Sequence, residues 1–261
     1  MYKERRKECI RMSKAWKRYF DEMQGVVQSI IDTQGENIEK AAEVFAESTI
    51  KGGIIRAFGS GHSALITEDV HWRSATLANV QAIVEQSVSG PAEVTKSSYV
   101  EKLTGYGEII VKYNKIAPPD VLVAISTSGN NAVTIDVARA CRSRGVPVIA
   151  ITAVNYSNQL KTLHPDAIKL KDCADVVLDN CAIFGDAAVD IEGFDIKVGS
   201  TSTIPGVYLL NAALAQAVEN LVRQGFEPDV YYNGNLGANL DKVNEHNNRL
   251  IDKYYYKIRN L

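Results

Sequence analysis

The sequence lacks an excess of either charge. It has 29 Lys and Arg against 31 Asp and Glu, a formal net charge of −2. A chain that wraps nucleic acid neutralises many phosphates and is usually basic, so nucleic acid is not the expected partner. Cysteine is scarce: Cys9, Cys141, Cys173 and Cys181, with no Cys-x-x-Cys pair. That excludes the disulfide framework of a small secreted domain and reads as reduced thiols in a cytoplasmic protein. No apolar run reaches the roughly 18 residues needed to span a bilayer, and the polar start Met1-Tyr2-Lys3-Glu4-Arg5-Arg6-Lys7 is not a secretion signal. No membrane partner is expected. What remains is a chain of 261 residues, 46% hydrophobic and 23% charged, the composition of a globular protein with a sizeable core.

The first fifty residues carry helical periodicity. Met12, Trp16, Tyr19, Met23, Val26 and Ile30 fall on one stripe. A second helix is expected over 36–50, with Ile38, Ala42, Phe45 and Ile50 inward. Short apolar runs then alternate with helices: 54–58, 80–84, 121–125, 146–151 and 174–178 as strands, with helices from the 59–63 break to about Leu77, over 132–144 and over 207–222. Strands without polar alternation, separated by helices, signal a parallel sheet covered on both faces. The expected fold is α/β, a doubly wound parallel sheet of about five strands flanked by helices. The expected division is an N-terminal helical extension, 1–50, packed on one domain, 51–261, that includes a C-terminal helix. The basic residues near the N-terminus are interrupted by Glu4, Glu8, Asp21 and Glu22 and read as a solvated helix face.

Three loops share one chemistry. Gly59-Ser60-Gly61-His62-Ser63 and Ser126-Thr127-Ser128-Gly129-Asn130 each follow a strand and open a helix, and Gly199-Ser200-Thr201-Ser202-Thr203 precedes the long C-terminal helix. Helix N-termini offer free N–H groups and partial positive charge, and hydroxyls add donors without charge. Such loops converge at the carboxyl ends of the strands in open α/β sheets. They are neither a P-loop nor a complete G-x-G-x-x-G fingerprint, so a phosphate on something polar is favoured over a dinucleotide.

The pair G-S-G-H-S (59–63) and V-L-V-A-I-S-T-S-G-N (121–130) resembles the SIS, or sugar isomerase, domain. The resemblance extends through G-H-S-x-x-x-x-E-D (61–69), D-N-x-x-x-x-G-D (179–186), 190–204 and E-H-N-N-R-L-I (245–251). It implies a binder of phosphosugars, and by analogy places Gly59, Ser60, Ser63, Ser126, Thr127, Ser128, Asn130, Ser202 and Thr203 at the sugar phosphate. It implies a homodimer or homotetramer. No cofactor is expected, and no metal, since His62, Glu68, Glu245 and His246 would supply a site only if the fold brought them together.

Aldose–ketose isomerisation needs a base and an acid. Glu68, five residues beyond Ser63, is either that base or a solvent-facing helix carboxylate. His62 is a site residue or a loop histidine bonded to backbone. The resemblance brings in Glu245 and His246, since a C-terminal His or Lys enters the site of several SIS enzymes, often from a neighbouring subunit; a helix-capping role is the alternative. Asp186 either orients a sugar hydroxyl or is a turn residue. His71 reads as a packed helix histidine and His164 as surface loop. Related enzymes carry a catalytic Glu about ten residues after the loop serine, where this chain has Trp72 and Arg73. The expected function is therefore a sugar-phosphate isomerase, with a non-catalytic phosphosugar sensor or a lyase/etherase as alternatives.

Overall fold

The computed structural model describes residues 13–90, 93–235 and 239–260. Helices α1 (Ala15–Thr33) and α2 (Gly35–Ile50) precede β1 (Ile55–Gly59), α3 (Ser63–Asp69) and β2 (Val80–Ala82). Then come α4 (Val94–Val100), α5 (Tyr106–Tyr113), β3 (Val121–Ile125), α6 (Ala132–Ser143), β4 (Val148–Thr152), α7 (Val154–Gln159) and β5 (Val176–Asp179). A hairpin of β6 (Val189–Ile191) and β7 (Phe194–Val198), then α8 (Thr203–Arg223) and α9 (Leu240–Tyr254), complete the chain. Five strands form one parallel sheet in the order β2-β1-β3-β4-β5.

The apolar runs are strands because both faces of the sheet are covered. Val121, Val123 and Ile125 of β3 face Ala41, Ala42 and Phe45 of α2 and Leu209, Leu210 and Ala213 of α8. Leu122 and Ala124 point the other way, into a cluster with Ile110 and Val111 of α5 and Val133, Val137 and Cys141 of α6. The stripe on α1 is half realised: Met23, Val26 and Ile30 are buried, Trp16 is 57% exposed, and Met12 lies outside the described residues. On α2, Ala42 and Phe45 point inward as expected, whereas Ile50 is exposed.

Two expectations about elements need correction. The helix after the first loop stops at Asp69 rather than near Leu77. Trp72 and Ala75 take positive φ (46° and 64°), and the Ala75 and Ala78 N–H groups donate to the carbonyls of Tyr231 and Asp229 at 2.9 and 2.8 Å. A distant segment thus claims the backbone that helix continuation needs. The helix expected over 207–222 begins earlier, at Thr203, with only four residues between it and the end of β7 at Val198.

Helix α9 packs across the N-terminal end of the sheet, where Leu250 and Tyr254 meet Ile54, Ala78, Tyr231 and Ile258. Burial raises the Tyr231 hydroxyl to about 12, with the Asp229 charge adding to it. Burial also raises that of Tyr254, whose hydroxyl donates to Asp229 at 2.7 Å. Both phenols stay protonated in the folded chain at a pH where the unfolded chain, near 10, has lost them. Folding stability is therefore complete below pH 10 and falls between pH 10 and 12, by up to ~1.4 kcal/mol per pH unit for each phenol. Urea melts at pH 8, 10 and 11.5 should show this loss, and Tyr254→Phe should flatten it.

Among the described residues no helix is long and apolar enough to cross a membrane.

Candidate functional site

The strand order changes direction between β1 and β3: the chain leaves β1 toward β2 and leaves β3 toward β4. A crevice opens outside the carboxyl ends of two such strands, and ligands bind there in open α/β sheets. In this structure a cavity of about 250 Å³ lies at that place. Ser60, His62 and Ser63, which follow β1, form one wall, and Ser126, Thr127 and Ser128, which follow β3, form the second. Ser202 and Thr203, at the start of α8, form a third.

The polar groups in these walls are mostly uncharged donors. Helices α6 and α8 both begin at the cavity, from Asn131 and Ser202, and direct their N-terminal partial charge into it. The first N–H groups of α3 are instead spent on its own turn: Ser63, Ala64 and Leu65 donate to the carbonyls of Ser60, Gly61 and His62. That wall therefore contributes side chains. Among the described residues no Lys or Arg lines the cavity.

The 126–130 loop is held from behind. The Gly129 N–H closes a turn on the Ser126 carbonyl at 3.0 Å, and Ala153 N–H and the Thr152 hydroxyl both donate to the Thr127 carbonyl. Gly129 has φ +63°, and a Cβ there would lie 2.8 Å from the Ser157 hydroxyl. Only glycine fits that combination without displacement.

A family model for the SIS domain matches residues 18–153. The chain belongs to the SIS-domain family. A UPF0309 protein of Listeria monocytogenes serotype 4b is 35% identical to it over 240 residues, 92% of this chain and 96% of the relative. A UPF0309 protein of Halalkalibacterium halodurans is 34% identical over 229 residues, covering 88% and 93%. Among solved structures, a phosphoheptose isomerase from Neisseria gonorrhoeae shares the fold at 20% identity and TM-score 0.50, over 77% of this chain and 95% of the other. One from Francisella tularensis does so at 14% identity and TM-score 0.51, with the same coverage.

The sequence-derived candidates of this SIS-domain protein divide between two ends of the sheet. His62, Ser60, Ser63, Ser126, Thr127, Ser128, Asp186, Ser202 and Thr203 line the cavity. Gly59 sits beneath it, where a Cβ would come within 2.7 Å of the Ser63 carbonyl oxygen. Asn130 is buried behind the loop and donates its amide to the Lys161 carbonyl at 3.0 Å. Glu68 is exposed on α3 and outside the lining. Glu245 is exposed on α9. His246 has its Nε2 2.9 Å from the Val230 carbonyl oxygen and stacks on Tyr232 at 4.2 Å. Both belong to the helix at the N-terminal end of the sheet, so within one chain they do not meet the cavity.

Asp186 reaches the cavity by an unusual backbone route, with φ +80° at Gly185 and +52° at Asp186 itself. Its carboxylate accepts from the Thr201 N–H at 2.7 Å, the Thr201 hydroxyl at 3.0 Å and the Ser202 hydroxyl at 2.8 Å. These three donors tie it to the start of α8. Arg73 pairs with Asp69 at 2.9 Å.

Glu101, Asn131, Tyr156 and Ile66 also line the cavity and were not among the sequence candidates. Glu101 follows α4 and is partly buried. Its Oε2 accepts from the Asn131 amide at 2.9 Å, and its carbonyl accepts from the Val133 N–H of α6 at 3.2 Å. Asp136 accepts from the Gly105 N–H at 2.6 Å, which fixes the turn just beyond. Its other oxygen lies 3.2 Å from Nε2 of His164. His164 is buried, not a surface residue, because Asp136 and the Asp166 N–H occupy both ring nitrogens. The one signal in the sequence was position: Glu101 precedes a glycine turn, Gly105, before α5. Tyr156 meets Phe184 edge to face at 5.1 Å beside the cavity.

Cys141, Cys173 and Cys181 are free thiols, and burial raises Cys141 to about 12 and Cys181 to about 11. None of the three suits a nucleophile near neutral pH. Among the described residues no three His, Cys, Asp or Glu side chains are grouped to hold a metal.

Proposed function

We propose that this SIS-domain protein binds a sugar phosphate and interconverts its aldose and ketose forms through an enediol(ate). The observation that carries this reading is one cavity with uncharged hydroxyl and helix-end donors on three sides and a carboxylate, Glu101, fixed by Asn131. The phosphate sits against the 126–130 loop and the start of α6, where neutral N–H and hydroxyl groups meet the anion. Glu101 removes the proton from the carbon beside the carbonyl and returns it to the former carbonyl carbon, while the hydroxyl proton on the first carbon's oxygen passes to the old carbonyl oxygen. The resulting negative charge rests on the enediolate oxygen between those two events. When the cyclic form opens, the bond from the anomeric carbon to the ring oxygen breaks, His62 gives the ring oxygen a proton, and the proton lost from the anomeric hydroxyl restores His62.

In this reading Glu101 takes the role first weighed for Glu68. A second reading, a phosphosugar sensor without chemistry, is favoured by Trp72 and Arg73 at the place where related enzymes carry their Glu. A third, the lyase or etherase, shares the proton abstraction and releases a second product.

Proton NMR of the protein with a pool of hexose, heptose and amino-sugar phosphates in D₂O separates these readings. Loss of the C1 or C2 proton signal with a new sugar peak is the expected result. Line broadening without exchange supports the sensor, a released second product the lyase, and no binding to any member overturns the phosphosugar reading.

A further inference from the structure

Behind the cavity wall lies a cation. Lys169 is 8% exposed, and its Nζ donates to the Ser157 carbonyl and, at 2.7 Å, to the Leu160 carbonyl, at the end of α7. Among the described residues no ion pair neutralises it. The Asp172 carboxylate accepts from the Lys169 backbone N–H at 2.9 Å rather than from its ammonium. A lysine that only caps the end of a helix can do so from the surface, with its charge in water. Taking that charge out of water is costly unless an opposite charge answers it. Two neutral carbonyls at the end of a helix of six residues do not supply one.

The ammonium and the 126–130 loop share their supports. The N–H of Leu170, the next residue, donates to the Gly129 carbonyl at 2.9 Å. The Asn130 amide donates to the Lys161 carbonyl at 3.0 Å. Ser157, whose carbonyl receives the ammonium, has its hydroxyl 2.8 Å from where a Cβ on Gly129 would stand. One residue and one hydrogen bond therefore separate Nζ from Gly129. That places the charge on the order of 10 Å from an anion seated against the loop.

We infer, on the basis of the phosphosugar reading, that Lys169 is a positioning residue for the phosphate: it supplies, from behind the loop, the positive charge that the lining of the cavity lacks. The division of labour is physical. Hydroxyl and N–H groups in front of the loop set the geometry of the anion, and the charge behind it sets how strongly a dianion is preferred. Lys169 has no counter-charge until an anion occupies the cavity, so binding relieves the cost of burying it. Because it is buried, salt screens it less than a surface lysine. Its attraction is proportional to the charge of the ligand, twice as large for a dianion as for a monoanion of the same shape.

Methyl phosphate and methanesulfonate test this, since at about pH 8 they have similar shapes and carry two and one negative charges. Their dissociation constants are measured by NMR titration of the full chain, as wild type, Lys169→Gln and Lys169→Arg, at constant ionic strength. Lys169→Gln should weaken methyl phosphate about tenfold and methanesulfonate only about threefold. Lys169→Arg keeps the charge and should stay within about threefold for both. A loop that had merely loosened would lose both ligands equally, so an equal loss in folded Lys169→Gln, or no loss, overturns the inference. Should Lys169→Gln not fold, the wild type still answers. The Nζ signal of Lys169 in a ¹⁵N-lysine-labelled chain, assigned by its absence from Lys169→Arg, should shift on saturation with methyl phosphate and less with methanesulfonate. No shift at saturation overturns the inference. Methyl phosphate that fails to bind the wild type at all would sink the phosphate site itself, whereas binding that ignores ligand charge sinks only the role of Lys169.

Discussion

Glu101→Gln should lower turnover by about 10²–10⁴-fold, the usual worth of a positioned general base. Affinity for the sugar phosphate should stay within a few-fold. Gln keeps the shape of the side chain and an oxygen that accepts from the Asn131 amide, which sits 2.9 Å away in the wild type. What it removes is the ability to take a proton from carbon. A loss of 10³-fold corresponds to ~4 kcal/mol of transition-state stabilisation, far more than one neutral hydrogen bond contributes. The effect should therefore fall on kcat and on solvent exchange of the C1 or C2 proton, with KM little changed. Glu68→Gln is the matched control, because Glu68 is exposed and outside the cavity. Full activity of Glu101→Gln together with loss of activity in Glu68→Gln would return the base to α3 and sink the assignment.

Glu68 attracted attention in the sequence because it follows a binding loop on a helix. Helix geometry explains its placement. Residues advance about 100° each, so a residue five along lies ~140° around from Ser63. With Ser63 facing the cavity, Ile66 also faces it and Glu68 turns toward solvent. The strands were legible because burial on both faces leaves uninterrupted apolar runs such as Val121–Ile125. The loops were legible because hydroxyl and glycine residues directly follow those runs. Glu101 was not, since its only local mark is the glycine turn at Gly105 four residues on. Its position depends on α5 lying close against α6, where a Cβ on Gly107 would come within 2.4 Å of the Val137 nitrogen. It depends also on Asn131 and Val133, about thirty residues on.

His246 teaches the same lesson at the other end of the sheet. Its motif predicted chemistry, but it lies on the expected C-terminal helix, which is amphipathic and buries Leu250 and Tyr254. The amphipathic pattern decides only that the helix packs. Which end of the sheet it covers is set by Ile54, Ala78 and Tyr231, which are distant in sequence and join it in one cluster. The early stop of α3 has the same cause, because residues 75–78 pair with 229–231 instead of continuing the helix.

Asp120→Ala should be the most damaging single substitution away from the cavity, costing about 3–5 kcal/mol of folding stability. Asp120 and Arg56 are 7% and 4% exposed, and Arg56 Nε donates to Asp120 Oδ2 at 3.0 Å. Its Oδ1 accepts from the Ile54 N–H at 2.9 Å. Truncation leaves a buried guanidinium without its counter-charge and a buried N–H without an acceptor. Arg56 also donates to the Gln81 side chain and to the Lys257 carbonyl at 3.0 Å, neutral acceptors that cannot replace the lost carboxylate charge. Stability measured by urea unfolding should fall toward the few kcal/mol that separate a domain of this kind from unfolding. Adding Arg56→Met removes the stranded charge and should recover part of the loss, because exchanging both members of a buried pair for apolar groups costs less than removing one. A cost below 1 kcal/mol for Asp120→Ala, or a double variant no better than the single, would mean that water reaches the pair. The pair lies at the N-terminal ends of β1 and β3, and the cavity at their carboxyl ends. Where the variant remains folded, sugar-phosphate binding should therefore be unchanged, which separates the stability of the sheet from the chemistry mounted on it.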